Sequence, residues 1–207
     1  MELDLLKNLF KGREPYPEGR YSDFGVLVPL IEVDGSLHLL FEVRAASLNK
    51  QPGEISFPGG KVEKGETPGQ AAVRETSEEL LLKQESIELV GPLDYIVTPF
   101  NYAIYPYLGI IHGIAITDVR PNPGEVDRIF TVPLEYFLTN EPDSYHIRVH
   151  MEPVRGFPYE LIPNGQGYNW KSGSYPVHFY RYGEHTIWGI TARIIKNLVD
   201  ILAPLSL

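Results

Sequence analysis

A single α/β domain is what this sequence predicts, and three observations carry that reading. Two apolar runs in "FGVLVPLIEVDGSLHLLFEVR" are joined by Asp34-Gly35, a strong signal for a two-residue hairpin turn. Thr67, Pro68 and Gln70 form a clear helix start ahead of a run of good helix formers. Downstream strand-like runs end in an amphipathic segment, with no internal repeat or low-complexity tract between them. At 207 residues the chain is long for one domain but within the range of a larger one.

Taken in order, residues 2–10 suit a short amphipathic helix with Leu5, Leu6, Leu9 and Phe10 on its apolar side, broken by Pro15 and Pro17. After the hairpin comes a loop punctuated by Pro52-Gly53 and Pro58-Gly59-Gly60. In the next helix Thr67 is the N-cap, Pro68 takes the first helical position and Gln70 closes a T-x-x-Q capping box. Its packing stripe is Ala72, Val73, Thr76 and Leu80, and helix formers continue to Leu82. "SIELVGPLDYIV", "YAIYPYLGIIHGIAI" and "EVDRIFTVPL" read as strands. Residues 139–182, rich in Pro, Gly and Tyr, suggest short strands and long loops elaborating the same domain rather than a separate core. "TIWGITARIIKNLVDIL" reads as the closing helix.

Composition narrows the function classes. Hydrophobic residues make up 43% and charged residues 22%, ordinary for a soluble globular chain. There are no cysteines, which removes disulfides, thiolate metal sites and a cysteine nucleophile. The start, "MELDLLKNLF", lacks the basic region and long apolar run of a signal peptide, and no apolar stretch approaches the ~20 residues of a membrane span. A cytoplasmic location without membrane partners is the expectation. Net charge is −9 and no Lys/Arg cluster occurs, so nucleic acid is not an expected partner. The sequence leaves both a monomer and a homodimer open.

Glu75, Glu78 and Glu79 share a helical arc of roughly 100°. Like charges at that spacing repel by roughly 0.2–0.5 kcal/mol per pair, and such a group ordinarily marks a solvated face. Two neighbours argue otherwise: Arg74 directly precedes Glu75, and the Gly59-Gly60 turn lies just before the helix. Closely packed carboxylates are hard oxygen ligands of the kind Mg²⁺ or Mn²⁺ takes, with water and substrate phosphates completing the shell. A cation turns that repulsion into attraction and offsets the acidic charge where an anionic substrate must bind.

Gly60, Glu66, Arg74, Glu75, Thr76, Glu78, Glu79 and Leu82 stand in a register that resembles the Nudix box. The box is a Gly, five residues, Glu, seven residues, Arg-Glu, an aliphatic or small residue, any residue, Glu-Glu, any residue, Gly and an aliphatic residue. Thr76 replaces the usual apolar residue and Leu81 the closing Gly; neither departure touches a carboxylate. The resemblance implies a Nudix α/β/α sandwich, a mixed β-sheet between helices with the glutamate helix beside the substrate cleft. It implies water attack on a phosphorus of a nucleoside diphosphate derivative. Glu75, Glu78, Glu79 and the Gly60 carbonyl would ligate the divalent cations. Arg74, tied to Glu66, would orient Glu75. Glu75, Glu79 and Arg74 thereby make up the catalytic set, with Glu125 in "PNPGEVDRIF" as a further metal ligand or base from a distant loop.

"LLFEVRAASLNKQPGEISFPGG" resembles the motif preceding the box in coenzyme A-cleaving Nudix enzymes, through Arg44, Ala45, Gly53, Phe57, Pro58, Gly59 and Gly60. The family's second Arg falls on Asn49, with Lys50 adjacent as a point charge lacking the guanidinium fork. Arg44, Lys50, Gly59 and Gly60 are thus the substrate-binding candidates. The implied reaction is hydrolysis of the diphosphate of coenzyme A or a derivative, giving 3′,5′-ADP and an (acyl-)phosphopantetheine. Two alternatives stay open: another nucleoside diphosphate derivative such as ADP-ribose or NADH, and a non-catalytic ligand-sensing domain of the same fold. Tyr95, Phe100, Tyr102 and Tyr105 fit either a pocket wall or, more ordinarily, core positions of strands; the six histidines show no ligand spacing.

Overall fold

In a computed structural model that describes residues 3–13 and 16–203, the elements run α1 (Leu3–Phe10), β1 (Ser22–Val33), β2 (Ser36–Arg44), β3 (Ile55–Ser56), β4 (Gly59–Lys61), α2 (Pro68–Glu79), β5 (Ile87–Pro92), β6 (Ile96–Val97), β7 (Tyr102–Ile111), β8 (Val126–Pro133), α3 (Leu134–Thr139), β9 (Asp143–His150), β10 (Ser172–Tyr182), β11 (His185–Trp188) and α4 (Gly189–Leu202). Of the two prolines expected to break the first helix, Pro15 lies outside the described residues. Asp34 and Gly35 both take positive φ, 51° and 79°, as the hairpin turn between β1 and β2 requires.

An eight-stranded mixed sheet follows the order β3-β2-β1-β7-β5, with β4 on β1, β6 on β7 and β8 on β2. Its one parallel pairing is β1 with β7, from Ser22↔Tyr102 to Leu30↔Ile110; the others are antiparallel. Side-chain alternation then splits the core in two. Leu27, Ile31 and Leu40 face α2 and bury Ala72 and Leu80. Val28, Leu30, Leu39 and Phe41 face α4 and bury Ile194, Ile195 and Leu198. The result is the expected α/β/α sandwich.

Helix α2 starts as anticipated. The Gln70 amide donates to Thr67 Oγ1 at 3.3 Å, and the Thr67 amide to the Gln70 side chain at 2.8 Å. Thr76 is fully buried, but its hydroxyl donates to the Ala72 carbonyl at 2.7 Å, which satisfies it within the helix. The end differs from expectation. The helix stops at Glu79 rather than running to Leu82, and Leu81 turns the chain with φ +51° while the Leu82 amide reaches back to the Ser77 carbonyl at 3.1 Å. That is a Schellman closure with leucine where glycine ordinarily sits.

Three further expectations change. "SIELVGPLDYIV" forms two strands, β5 and β6, separated around Leu93–Tyr95. Thr186–Trp188 belong to β11, and α4 begins only at Gly189. Residues 139–182 carry longer strands than anticipated: β9 and β10 pair from Asp143↔Phe179 to His150↔Ser172 and join β11 in a separate three-stranded sheet. Tyr180 and Ile187 of that sheet pack into the α4-side core.

Candidate active site

The α2 N-terminus is held tightly against β1 and β4. Gly25 pairs with Gly60 across the strands, and a Cβ on Gly25 would lie 2.0 Å from the Pro68 carbonyl oxygen. A Cβ on Gly60 would lie 2.2 Å from the Glu75 carboxyl carbon. Glycine at both places lets the helix deliver its acids directly onto Gly59 and Gly60, which form the start of β4 rather than the turn expected from the sequence.

Arg74 organises the outer half. Its Nε and one terminal nitrogen donate to both oxygens of Glu66, at 2.9 and 3.1 Å, and the same nitrogen reaches the Lys61 carbonyl at 3.1 Å. The other terminal nitrogen donates to Glu75 at 2.9 Å and to Glu78 at 3.5 Å. This fork ties the β4–α2 loop to the helix and sets the Glu75 rotamer.

The inner half is more buried. Glu79 is 5% exposed, and its Oε2 accepts the Gly59 amide at 2.9 Å. Burial, then the charge of Glu42, pushes its pKa up to about 9. Burial likewise raises Glu75, opposed by Arg74. Glu78 has a largely exposed side chain on the rim. Glu125 is exposed in the loop before β8, which is pinned at two points: the Asn122 amide donates to the Glu79 carbonyl, and the Ala45 amide to the Glu125 carbonyl, each at 2.8 Å. Its charge adds to the repulsion felt by Glu75 and Glu79.

Among the described residues no three Asp, Glu, His or Cys side chains form a ready-made metal cage. Glu75, Glu78 and Glu79 therefore do not crowd one point as the helical arc suggests: Arg74 draws the first two outward while Gly59 holds the third inward. The donor chemistry still fits a hard divalent cation. All three side chains offer carboxylate oxygens, and burial together with mutual repulsion opposes the ionisation of Glu75 and Glu79 in the absence of a cation.

Of the substrate-binding candidates, Arg44 is half-buried at the end of β2 and its Nε has no hydrogen-bond partner. Lys50 and Asn49 are exposed in the following loop. Tyr95, Phe100 and Tyr102 are exposed rather than core, with Tyr95 stacked on Tyr105 at 5.4 Å; Tyr95 and Phe100 lie in the connections on either side of β6, and Tyr102 is the first residue of β7, so none sits within a covered stretch of strand.

Sequence reasoning missed Glu42. It sits in β2 within the wholly buried run Leu39–Val43 and is 1% exposed, with its pKa raised to about 7 chiefly by burial. The signal was present: one charge amid the apolar residues of "LLFEV" cannot be hidden by alternation when both faces of the strand are covered.

The profile of the NUDIX domain matches residues 22–152. The chain is 30% identical over 200 residues to the mitochondrial coenzyme A diphosphatase NUDT8 of Homo sapiens, covering 96% of this chain and 77% of that protein. It is 38% identical over 136 residues to the peroxisomal coenzyme A diphosphatase NUDT7 of Mus musculus, covering 65% of this chain but only 56% of that protein. It is 31% identical to the uncharacterized Nudix hydrolase NudL of Photorhabdus laumondii, over 93% of this chain and 94% of that one. Among solved structures, a MutT/nudix family protein from Enterococcus faecalis aligns with a TM-score of 0.50 at 16% identity, over 98% of this chain and 70% of that one, a likeness of fold alone.

Proposed function

The chain belongs to the NUDIX family and is a pyrophosphohydrolase of it, and on that premise we propose that it hydrolyses the diphosphate of coenzyme A or a coenzyme A derivative, giving 3′,5′-ADP and an (acyl-)phosphopantetheine. One arrangement carries the reading. Glu75 and Glu79 rest against Gly60 and Gly59 of β4, and Arg44 at the end of β2 and Glu75 both act electrostatically on the same β2 residue, Glu42, so a cation and an anionic diphosphate could be met at one strand end. Support for coenzyme A comes from the motif between Arg44 and Gly60 and from the two coenzyme A diphosphatases it resembles.

Glu75, Glu78, Glu79, Glu125 and the Gly60 carbonyl are the proposed holders of Mg²⁺ or Mn²⁺. Such a cation, when bound, activates water and neutralises charge on the phosphoryl oxygens. The chain's own residues do the positioning, which carries most of phosphoryl transfer. Arg74 fixes Glu75 through its fork on Glu66, and the Gly59 amide fixes Glu79. Glu125, on its pinned loop, is the proposed further metal ligand or base from outside the helix. Arg44 and Lys50 meet the substrate phosphates, Lys50 as a point charge next to Asn49, the position where the motif otherwise has Arg.

The deciding measurement is hydrolysis of coenzyme A, acyl-coenzyme A, ADP-ribose and NADH by the purified protein with Mg²⁺ or Mn²⁺. The expected outcome is highest kcat/KM on a coenzyme A species with 3′,5′-ADP as product. A clear preference for ADP-ribose or NADH overturns the substrate assignment and leaves the hydrolase reading standing.

A further inference from the structure

The buried acid on β2 has no task in the mechanism above. Leu40, Glu42 and Arg44 alternate onto the α2 face of the sheet, since Leu40 packs with Ala72 and Leu80 while Leu39 and Phe41 pack on the α4 side. Glu42 is paired with Ser56 in β3, and the Ser56 hydroxyl donates to Oε1 at 3.0 Å, which fixes the rotation of the carboxylate. The other oxygen, Oε2, is buried and has no hydrogen-bond partner. A bare carboxylate oxygen away from water is costly unless a cation or donor meets it. Arg44, two residues on, does not complete it with a hydrogen bond, and its own Nε is buried without a partner.

The surroundings say which kind of group fits. Ser56 lies three residues before Gly59, whose amide holds Glu79. On the opposite side β8 pairs with β2 at Arg44↔Val126, directly after Glu125. Two elements, β2 and α2, and one loop thus bring Glu42, Glu75, Glu79 and Glu125 within reach of one another's charge, and Glu42 is the strongest charged neighbour opposing ionisation of Glu79. Such a cluster is relieved by bound protons or by a cation. Arg74 is taken up by Glu66 and the outer acids, and Arg44, whose charge reaches Glu42, makes no hydrogen bond or ion pair with it.

We propose that Glu42 is a further ligand of the divalent cation, supplying Oε2 from the sheet opposite the acids of α2, with Ser56 as the positioning residue that turns it. The proposal rests on the cation reading above. It adds a carboxylate from β2 to a set otherwise drawn from α2, the Gly60 carbonyl of β4 and the Glu125 loop, which suits the six-or-more-oxygen preference of hard cations.

The test is Mn²⁺ titration of the full chain by calorimetry and by electron paramagnetic resonance, with thermal unfolding in the presence and absence of Mn²⁺, for wild type, Glu42→Gln, Ser56→Ala and the surface control Glu88→Gln. Glu42→Gln is expected to weaken Mn²⁺ binding at least about tenfold, the lower bound set by outer-sphere partners. Its metal-free melting temperature should match or exceed wild type, because a buried, unpaired carboxylate has gone. Ser56→Ala should weaken binding in the same direction but less, and Glu88→Gln should leave it unchanged. Wild-type Mn²⁺ affinity in Glu42→Gln, or a lower metal-free melting temperature with an intact Mn²⁺-induced shift, overturns the proposal and leaves the cation reading in place. Should Glu42→Gln fail to fold, Ser56→Ala decides: unchanged affinity overturns the proposal. If wild type itself takes up no Mn²⁺, both readings fall together.

Discussion

Leu81 carries a backbone conformation that L side chains resist: φ is +51° where the helix leaves α2, and its side chain is 61% exposed, so packing returns little. The left-handed region costs a non-glycine residue roughly 1–2 kcal/mol. Leu81→Gly should therefore raise stability by about 1 kcal/mol, equivalent to about 2–4 °C in a chain this size, as read by thermal unfolding with activity unchanged. Glu79 is the opposite kind of residue, well accommodated in geometry and poorly in charge. Glu79→Gln keeps an oxygen for the Gly59 amide but removes the anion. We expect hydrolysis with Mg²⁺ or Mn²⁺ to fall by about a hundredfold or more, above the 10–100-fold typical of outer-sphere partners, while circular dichroism and the metal-free melt stay native. Turnover at the wild-type rate would remove Glu79 from the mechanism. The three box acids could be singled out as candidates from their spacing together with the register of the box. Glu42 was not singled out, because its meaning depends on Ser56 across the strand pair and on a covering helix, neither of which sequence proximity reveals.

Among the elements, the seam between α2 and the β1–β4 pair is where fold and site share one constraint. Gly25 and Gly60 are both crowded, but against different things. A methyl group at Gly25 meets backbone, the Pro68 oxygen at 2.0 Å and the Ala72 nitrogen at 2.8 Å, whereas one at Gly60 meets the movable end of Glu75. Gly25→Ala should thus destabilise by about 1–3 kcal/mol or more, the range of overpacking. Gly60→Ala should fold with a smaller loss and forfeit activity as Glu75 is displaced. Urea unfolding and hydrolysis assays on the two variants separate these effects; equal loss of both properties in the two would refute the division. Element starts were readable because caps and turns are local chemistry, as Thr67–Gln70 and Asp34-Gly35 illustrate. Element ends were less so. Leu80–Leu82 have helix-forming side chains, yet the chain turns there, and Thr186–Trp188 pair with β10 instead of extending α4.

Over the whole molecule, a net charge of −9 meets a candidate site made of carboxylates, and the proposed cation, binding only the folded site, would link metal concentration to folding stability. A ligand that binds only the native state stabilises it by about 2.7 kcal/mol at a hundredfold excess over Kd. Saturating Mg²⁺ or Mn²⁺ should raise the melting temperature of the metal-free protein by about 5–10 °C, and chelation should reverse it; an unmoved melt would count against the cation site. No helix among the described residues is long and apolar enough to cross a membrane. The order of residues by itself determined the hairpin, the capped helix and the register of Glu66, Arg74, Glu75, Glu78 and Glu79, because each follows from contacts within a few positions along the chain. Only the tertiary structure decided that Arg74 spreads the helical acids, that the loop of Glu125 is pinned to the end of α2, and that Glu42 is buried opposite them. Those depend on which strands lie side by side and what covers them, and desolvation acts on a charge only once that enclosure is complete.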